Sequence, residues 1–477
     1  MDSVASYWIA GQAGAGSDVV EVHHPYDGTL VGRTSLVTPE DLERAVALAK
    51  ASAAELAAQP AHVRATALDV VSLGITERAD ELARLITAES GKPLKWARSE
   101  VARAAATFRW AAEEARRWSG TMQRLDTEPT SNGRVALSRR VPRGPVLGIA
   151  PFNFPLNLVA HKIAPAIAVG APIVLKPAPN TPLTALALGE ILATTSLPAG
   201  AWSIIPATNE DAAALVRDPR LPVVSFTGSV PVGWSIADAV PRKHVTLELG
   251  GNAAAVICPD WTDLDQAAQR IALFAMYQAG QSCISVQRVY VHRAVASEFT
   301  ARLVEAVERL RTGDPFDEAT DVGPLINEAA AARIERWIEE AVVMGAKVLA
   351  GGGRSGTTVE PTVLTNVAET ASLIREEAFG PVVTVTVVDS VDEAFRLVND
   401  SDFGLQAGIF TRDLTIAFRA AAELEVGAVI IGDVPTYRAE QMPYGGVKQS
   451  GSGREGVASA MADLTDERVM VLTGLPL

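Results

Sequence analysis

Two cysteines in 477 residues, Cys258 and Cys283, are too few for a disulfide framework. Their scarcity points to a reducing, cytoplasmic setting; Cys258, at the end of a strand, reads as a buried structural thiol. Excess positive charge is missing as well. Lys and Arg total 42 against 56 Asp and Glu, a formal net charge of −14. That balance argues against nucleic acid and against an anionic membrane surface as partners. No apolar run reaches the ~20 residues of a spanning helix. The longest, from Ile163 to Leu175, is broken by Pro165 and Pro172. The start, Met1 to Trp8, lacks the basic-then-apolar pattern of a secretory leader. No HExxH, CxxC or paired-histidine pattern suggests a metal site. With 48% hydrophobic residues the chain can bury a large core, and its length predicts two or three domains.

Helix signals dominate the first third. Thr38-Pro39-Glu40-Asp41 supplies an N-cap, a proline at N1 and first-turn acids, so a helix is expected to 58, with more helix to about 119. Asn132-Gly133 reads as a two-residue hairpin turn between 122–128 and 134–141, projecting from the body or meeting another subunit. From Pro142 short apolar runs alternate with helices. Strands are expected at 146–150, 173–175, 202–205, 223–226 and 245–249, with helices at 182–194, 211–216 and 232–239. Such a rhythm of fully apolar strands implies a parallel sheet covered on both faces, with ligands at the carboxyl ends of its strands. A helix over 263–277, capped by Thr262, leads into the turn before Cys283. Strands at 286–291 and 382–388 and helices at 297–311, 333–344 and 392–399 then describe a second α/β unit. An apolar strand at 468–472 needs a partner and is expected to find one across a subunit interface.

The chemistry concentrates in a few short stretches. Gly280-Gln281-Ser282-Cys283 holds a cysteine in a tight turn, where a thiolate can attack a carbonyl carbon. Glu248-Leu249-Gly250-Gly251 ends a strand with a carboxylate able to activate water. Pro151-Phe152-Asn153-Phe154-Pro155 fixes an amide donor, Asn153, suited to an oxyanion. Phe226-Thr227-Gly228-Ser229, continuing to Gly233, follows a buried strand and opens a helix, so its free N–H groups can hold a pyrophosphate. Lys176 ends the neighbouring strand, within reach of a ribose or phosphate. Two G-x-G-x-x-G patterns, beginning at Gly351 and Gly451, lack a flanking β-α-β unit and read as loops.

Together these stretches resemble the NAD(P)-dependent aldehyde dehydrogenase superfamily. The matching segments are PFNFP (151–155), LKPAPNTPLTA (175–185), FTGS (226–229), ELGG (248–251), GQSC (280–283), EEAFGPV (376–382) and PYGGVKQSGSGRE (443–455), in the family's order. The resemblance implies a Rossmann-like α/β cofactor domain (1–121 and 143–250), a second α/β catalytic domain (251–464) and a β-hairpin with a C-terminal strand for oligomerisation (122–142 and 465–477). It implies Cys283 as nucleophile, Asn153 with the Cys283 N–H as oxyanion donors, and Glu248 as the base for hydrolysis. The cofactor side takes in Pro151, Phe152, Lys176, Phe226, Gly228, Ser229, Gly233, Leu249, Glu377 and Phe379.

Pro179 stands where NAD-preferring members often carry Glu, so NAD and NADP are both open, with a lean to NAD. Ala207-Thr208-Asn209 replaces a Gly-rich stretch, and Ser282 stands where semialdehyde enzymes often have Arg. The loop Asp433 to Met442 is similar to that of lactaldehyde- and phosphonoacetaldehyde-type members. Arg438 or Arg109 could anchor an anion, and Phe154, Tyr437 and Tyr444 could line an aromatic pocket. The expected substrate is a small or medium polar aldehyde, with aromatic-aldehyde and semialdehyde readings kept beside it; the expected assembly is a homodimer or homotetramer. Three other readings stand: a thiol hydrolase using His161 or His244, acyl transfer to coenzyme A, and a catalytically silent binding protein.

Overall fold

A computed structural model describes residues 4–474, so 1–3 and 475–477 of the expected units lie outside it. Two large sheets and a three-stranded ribbon organise the chain, with a small sheet of Val4–Ala5, Leu30–Ser35 and Val19–His23 and two two-stranded pairs beside them among the described residues. The first sheet runs Gly451–Ser452, His244–Glu248, Val223–Thr227, Val146–Ile149, Ile173–Lys176, Trp202–Ile204, Tyr7–Ile9, Gln12–Gly14. Its five central strands are parallel, and a helix follows four of them, while His244–Glu248 runs on to the strand Ala253–Ile257; the edges are antiparallel. Ile173–Lys176 is buried throughout, and so is every residue of the crossover helix Asn157–Val169. That double cover explains why these strands read as unbroken apolar runs.

The second sheet runs Lys347–Ala350, Thr362–Thr365, Val382–Val388, Val286–His292, Ala253–Ile257, Gln406–Phe410, Ala428–Ile431. The third has three strands, Thr465–Thr473, Arg134–Pro142 and Met122–Arg124. The chain between 451 and 464 returns to the first sheet: Gly451–Ser452 joins its edge, and Val457, Met461 and Leu464 pack into its core. The expected assignment of everything from 251 to 464 to one unit is corrected there.

Several local expectations change. The helix at 263 is capped by Asp263, not Thr262; its carboxylate accepts from Gln266 N–H at 3.1 Å. The next helices begin earlier than expected, at Arg293 and Glu328. Asn132 has φ −53° and ψ 135°, and only Gly133 turns left-handed, at φ 73°. A type I′ turn needs positive φ at both residues, so this corner is of type II character, and the strands pair only from Arg124 opposite Val135. The first sheet also recruits Tyr7–Ile9 and Gln12–Gly14, strands of three residues, too short to show alternation.

Candidate active site

The parallel strands of the first sheet end in Ile149, Lys176, Thr227 and Glu248, and these ends form one wall of a cleft of about 500 Å³. Its other wall comes from the second unit: Cys283, Arg333, Glu377 and Phe379. A second cavity of about 210 Å³ lies on the far side of Cys283. Cys283 and Leu158 line both. The sulfur therefore stands in the partition between two chambers.

The backbone bends hard to put it there. The helix Leu264–Met276 stops at Tyr277, and three successive residues adopt left-handed φ: Gln278 (53°), Ala279 (53°) and Gly280 (70°). Glycine is required at 280, since a Cβ would lie 1.9 Å from the Gly380 carbonyl oxygen. For Gln278 and Ala279 this conformation costs of order 1 kcal/mol or more each. Surrounding bonds hold it: Gln278 Nε2 donates to the Asn153 carbonyl, Gln281 Nε2 donates to Gln278 O at 3.2 Å, and Gln281 Oε1 accepts from Ile326 N–H at 2.9 Å. Asn153 Nδ2 donates to Gln281 O at 2.9 Å, tying the PFNFP turn to the cysteine turn. Gly251 lets the two loops touch, because a Cβ there would meet Cys283 O at 2.2 Å.

Glu248 is 2% exposed, lines the cleft, and neither carboxylate oxygen has a hydrogen-bond partner. Burial, then the nearby charge of Glu455, push it well above the usual carboxylate range. Glu455 behaves oppositely. Burial alone would raise it, but Lys162 (Nζ to Oε1 3.3 Å) and Arg438 (Nη2 to Oε2 3.2 Å) outweigh that and take it down to about 2. Two buried carboxyls with separated proton affinities suit one to act as a base and the other as a fixed anion. Burial pushes the Cys283 thiol up to about 12, against a hydrogen bond with Tyr444 that acts the other way.

The wide cleft fits a dinucleotide. Lys176 is 3% exposed and its ammonium makes no hydrogen bond or ion pair among the described residues; burial holds its proton affinity below the ordinary lysine value. An unpaired buried cation facing a cleft awaits an acceptor. The turn Phe226–Ser229 lines the floor, and the Val230–Ala239 helix begins at it with Pro231 in its first turn. Glu377 accepts from Gly251 N–H at 3.0 Å, and Phe379, at φ 46°, sets its ring 5.9 Å from Phe152, edge to face. Pro151, Phe152, Gly228 and Leu249 also line the cleft. Gly233 does not; its lack of a side chain admits Leu249, whose Cδ2 would be 2.3 Å from a Cβ.

The smaller chamber carries Trp96, Arg103, Phe154, Arg270, Tyr437 and Arg438 among its walls. Tyr437 sits at its rim, half exposed. Arg438 is buried, and its Nε has no partner. Arg109 is corrected: it lies outside both cavities, pairs with Glu113 at 2.9 Å and rests on Trp110. At about 100° per residue, a position six beyond Arg103 comes round by about 240° and leaves the chamber face. Sequence reasoning missed Trp96, Ser99 and Arg103, and also Arg270, Phe274 and Tyr277. Each triplet is spaced three and four, and that helical stripe was the available signal. Neither histidine reaches the cysteine: His161 bonds Glu440, and His244 Nε2 pairs with Asp463 at 3.0 Å.

A thiol between a wide cleft and a small polar chamber, with a buried carboxylate lining the same cleft, suits an oxidoreductase that takes up a dinucleotide. The chain belongs to the aldehyde dehydrogenase family, whose profile matches residues 8–470, and it is an NAD(P)-dependent aldehyde dehydrogenase. It is 41% identical over 466 residues to a 3-sulfolactaldehyde dehydrogenase of Priestia aryabhattai, covering 98% of this chain and 97% of that protein. The crystal structure of aldehyde dehydrogenase 21 from Physcomitrella patens, in complex with the reaction product succinate, superposes with a TM-score of 0.98 at 43% identity, covering 100% and 99% of the two chains. NADP-dependent glyceraldehyde-3-phosphate dehydrogenase from Bacillus halodurans, complexed with NADP, gives 0.95 at 34%, covering 99% of each. No helix among the described residues is long and apolar enough to cross a membrane.

Proposed function

We propose that Cys283 attacks the aldehyde carbon from the partition between the chambers, and this placement carries the reading. The C–S bond forms as the carbonyl π pair moves to oxygen. The second N–H of Asn153 and the backbone N–H of Cys283 receive that charge, provided the Asn153–Gln281 bond keeps the amide aimed. The bound dinucleotide supplies a hydride acceptor. The residue left on Cys283 is a thioester, and Glu248 takes a proton from the water that cleaves it. The acid leaves and the thiolate returns.

The substrate is a short aldehyde with an anionic far end. A chamber of about 210 Å³ lies below the usual range for drug-sized ligands. Arg103, Arg270 and Arg438 all line it, and Arg270 is satisfied by Asp433 through bonds of 2.8 and 2.6 Å. Arg438 keeps an unpartnered Nε, and Arg103 spends only its Nε on Glu440. The relatives' substrate and product names, 3-sulfolactaldehyde and succinate, agree with an acidic end. We expect a sulfonate- or carboxylate-ended aldehyde to exceed its neutral analogue of equal length by about 10- to 100-fold in kcat/KM, the scale of one charge-assisted bond. Arg103→Gln should erase most of that preference. Equal rates for the neutral analogue in the unmodified enzyme would reject the anionic substrate.

The lean to NAD has no support at the lysine. The acid that Lys176 feels is Asp211, which bonds Thr208 in its own helix cap, and the cleft-lining acids are Glu248 and Glu377. No carboxylate among the described residues bonds Lys176, and Asp211 is spent on Thr208, so both dinucleotides are expected to serve.

Assembly through strand edges is part of the same reading. Thr465–Thr473 pairs along its whole length with Arg134–Pro142, and its other edge has no partner among the described residues. Val469, Met470 and Val471 are each at least half exposed. A free apolar edge is an aggregation hazard unless a second copy covers it. Val469→Lys with Val471→Lys should lower the particle mass in light scattering; an unchanged oligomer, or a wild-type monomer, would reject this edge as the interface.

A further inference from the structure

Among the described residues, the Tyr444 hydroxyl is the one side-chain group hydrogen-bonded to the Cys283 sulfur, at 2.9 Å. It makes no other hydrogen bond there. The ring is 3% exposed and packs with Ile284 and Leu405. The Arg438 guanidinium covers one face, 3.8 Å from the ring centroid, and is itself held by Glu455. Backbone bonds in both directions between Tyr444 and Glu455, Tyr444 N–H to Glu455 O at 2.9 Å and the reverse at 2.6 Å, fix the residue's height above the sulfur. An aromatic core residue needs no hydroxyl, and a buried hydroxyl is costly unless bonded.

We propose that Tyr444 is a further catalytic residue, whose O–H donates to the Cys283 sulfur and stabilises the thiolate that attacks the aldehyde. This rests on Cys283 being the nucleophile. The thiol proton leaves to water in the substrate chamber, and the phenol proton stays on Tyr444 throughout. When the C–S bond forms, negative charge passes from sulfur to the aldehyde oxygen and the Tyr444 bond weakens. It re-forms when hydrolysis frees the sulfur.

The surroundings show why such a donor is needed. Burial opposes the thiolate most, and the carboxylates of Glu377 and Glu248 oppose it too; Tyr444 and Arg438 are the groups that favour it. The groups acting on Tyr444 are Cys283, Arg438 and Glu248, and burial keeps its phenol protonated well above the ordinary tyrosine range. It therefore remains a donor wherever the enzyme works. Arg438 places positive charge on the ring face, which strengthens the O–H as a donor.

Tyr444→Phe keeps the ring and its stacking and deletes one oxygen. With the full-length protein, we would follow the pH dependence of thiolate absorbance near 240 nm and of iodoacetamide labelling at Cys283, together with the pre-steady-state burst of reduced dinucleotide. The labelling midpoint should rise by about one to two pH units, and the burst at neutral pH should slow about 10- to 100-fold, the size of a hydrogen bond to a charged group. Dinucleotide affinity should stay unchanged, which also verifies folding. Fluorinated tyrosine at 444, a stronger donor of the same shape, should lower the midpoint; it keeps the idea testable if the Phe variant fails to fold. An unchanged midpoint and burst would overturn the role. So would a faster burst, which means that Tyr444 parks the sulfur in an idle position. Cys283→Ala separates the two failures: full turnover in that variant ends the nucleophile reading itself, whereas a dead Cys283→Ala beside a normal Tyr444→Phe ends only this inference.

Discussion

Cys283→Ser is expected to abolish aldehyde oxidation, with kcat falling by about 10⁴ or more, the scale seen when a nucleophile is removed. Serine keeps the size and the turn, but its hydroxyl does not ionise near neutral pH, and no base stands at hydrogen-bond distance to help it. The sulfur's one hydrogen-bonded side-chain partner among the described residues is Tyr444, whose phenol burial keeps protonated, so it is no base. The cleft residues Lys176, Glu377 and Phe379 are untouched, so dinucleotide affinity measured by fluorescence or calorimetry should stay within about twofold. Turnover at a tenth of wild type or better would remove Cys283 from the mechanism. Loss of dinucleotide binding would show instead that the strained run Gln278–Gly280 had collapsed.

Glu248→Gln is the second large effect, and its signature is kinetic. The amide cannot take a proton from water, so thioester hydrolysis should slow by about 10²- to 10⁴-fold. Hydride transfer should survive. A burst of reduced dinucleotide equal to the number of sites should then be followed by a nearly flat steady state. The wild-type pH profile carries the same information. The base works deprotonated, and burial beside Glu455 raises its proton affinity above that of an ordinary carboxyl. Deacylation-limited kcat should therefore climb with pH through a limb above the usual carboxylate range, and Glu248→Gln should lose that limb. Equal burst and steady rates in the variant would place the base elsewhere.

Much of the site was legible because its parts are short and local. Strand ends, Gly-containing turns and the PFNFP, ELGG and GQSC stretches each lie within a handful of residues; the first sheet brings PFNFP and ELGG to one edge, facing GQSC on the opposite wall. The substrate chamber was less legible. Trp96, Ser99 and Arg103 sit on one helix, Arg270 and Phe274 on another, and only packing of those helices makes their stripes meet. Arg109 failed for the same reason, since an arginine is placed by helical phase rather than by nearness in sequence. Gln278 and Ala279 gave no warning of their left-handed backbone, because neither residue type favours it; the Asn153 and Gln281 bonds impose it from outside. Arg438 was visible as a charge but not as a buried one stacked on Tyr444.

The central claim is that an acyl group derived from the aldehyde resides on Cys283 and nowhere else. Glu248→Gln, mixed with aldehyde and oxidised dinucleotide, quenched in acid and digested, should yield the peptide containing Cys283 heavier by the acyl mass, with the Cys258 peptide unmodified. Acylation at any other residue, or no acylated peptide despite a full burst, would contradict it.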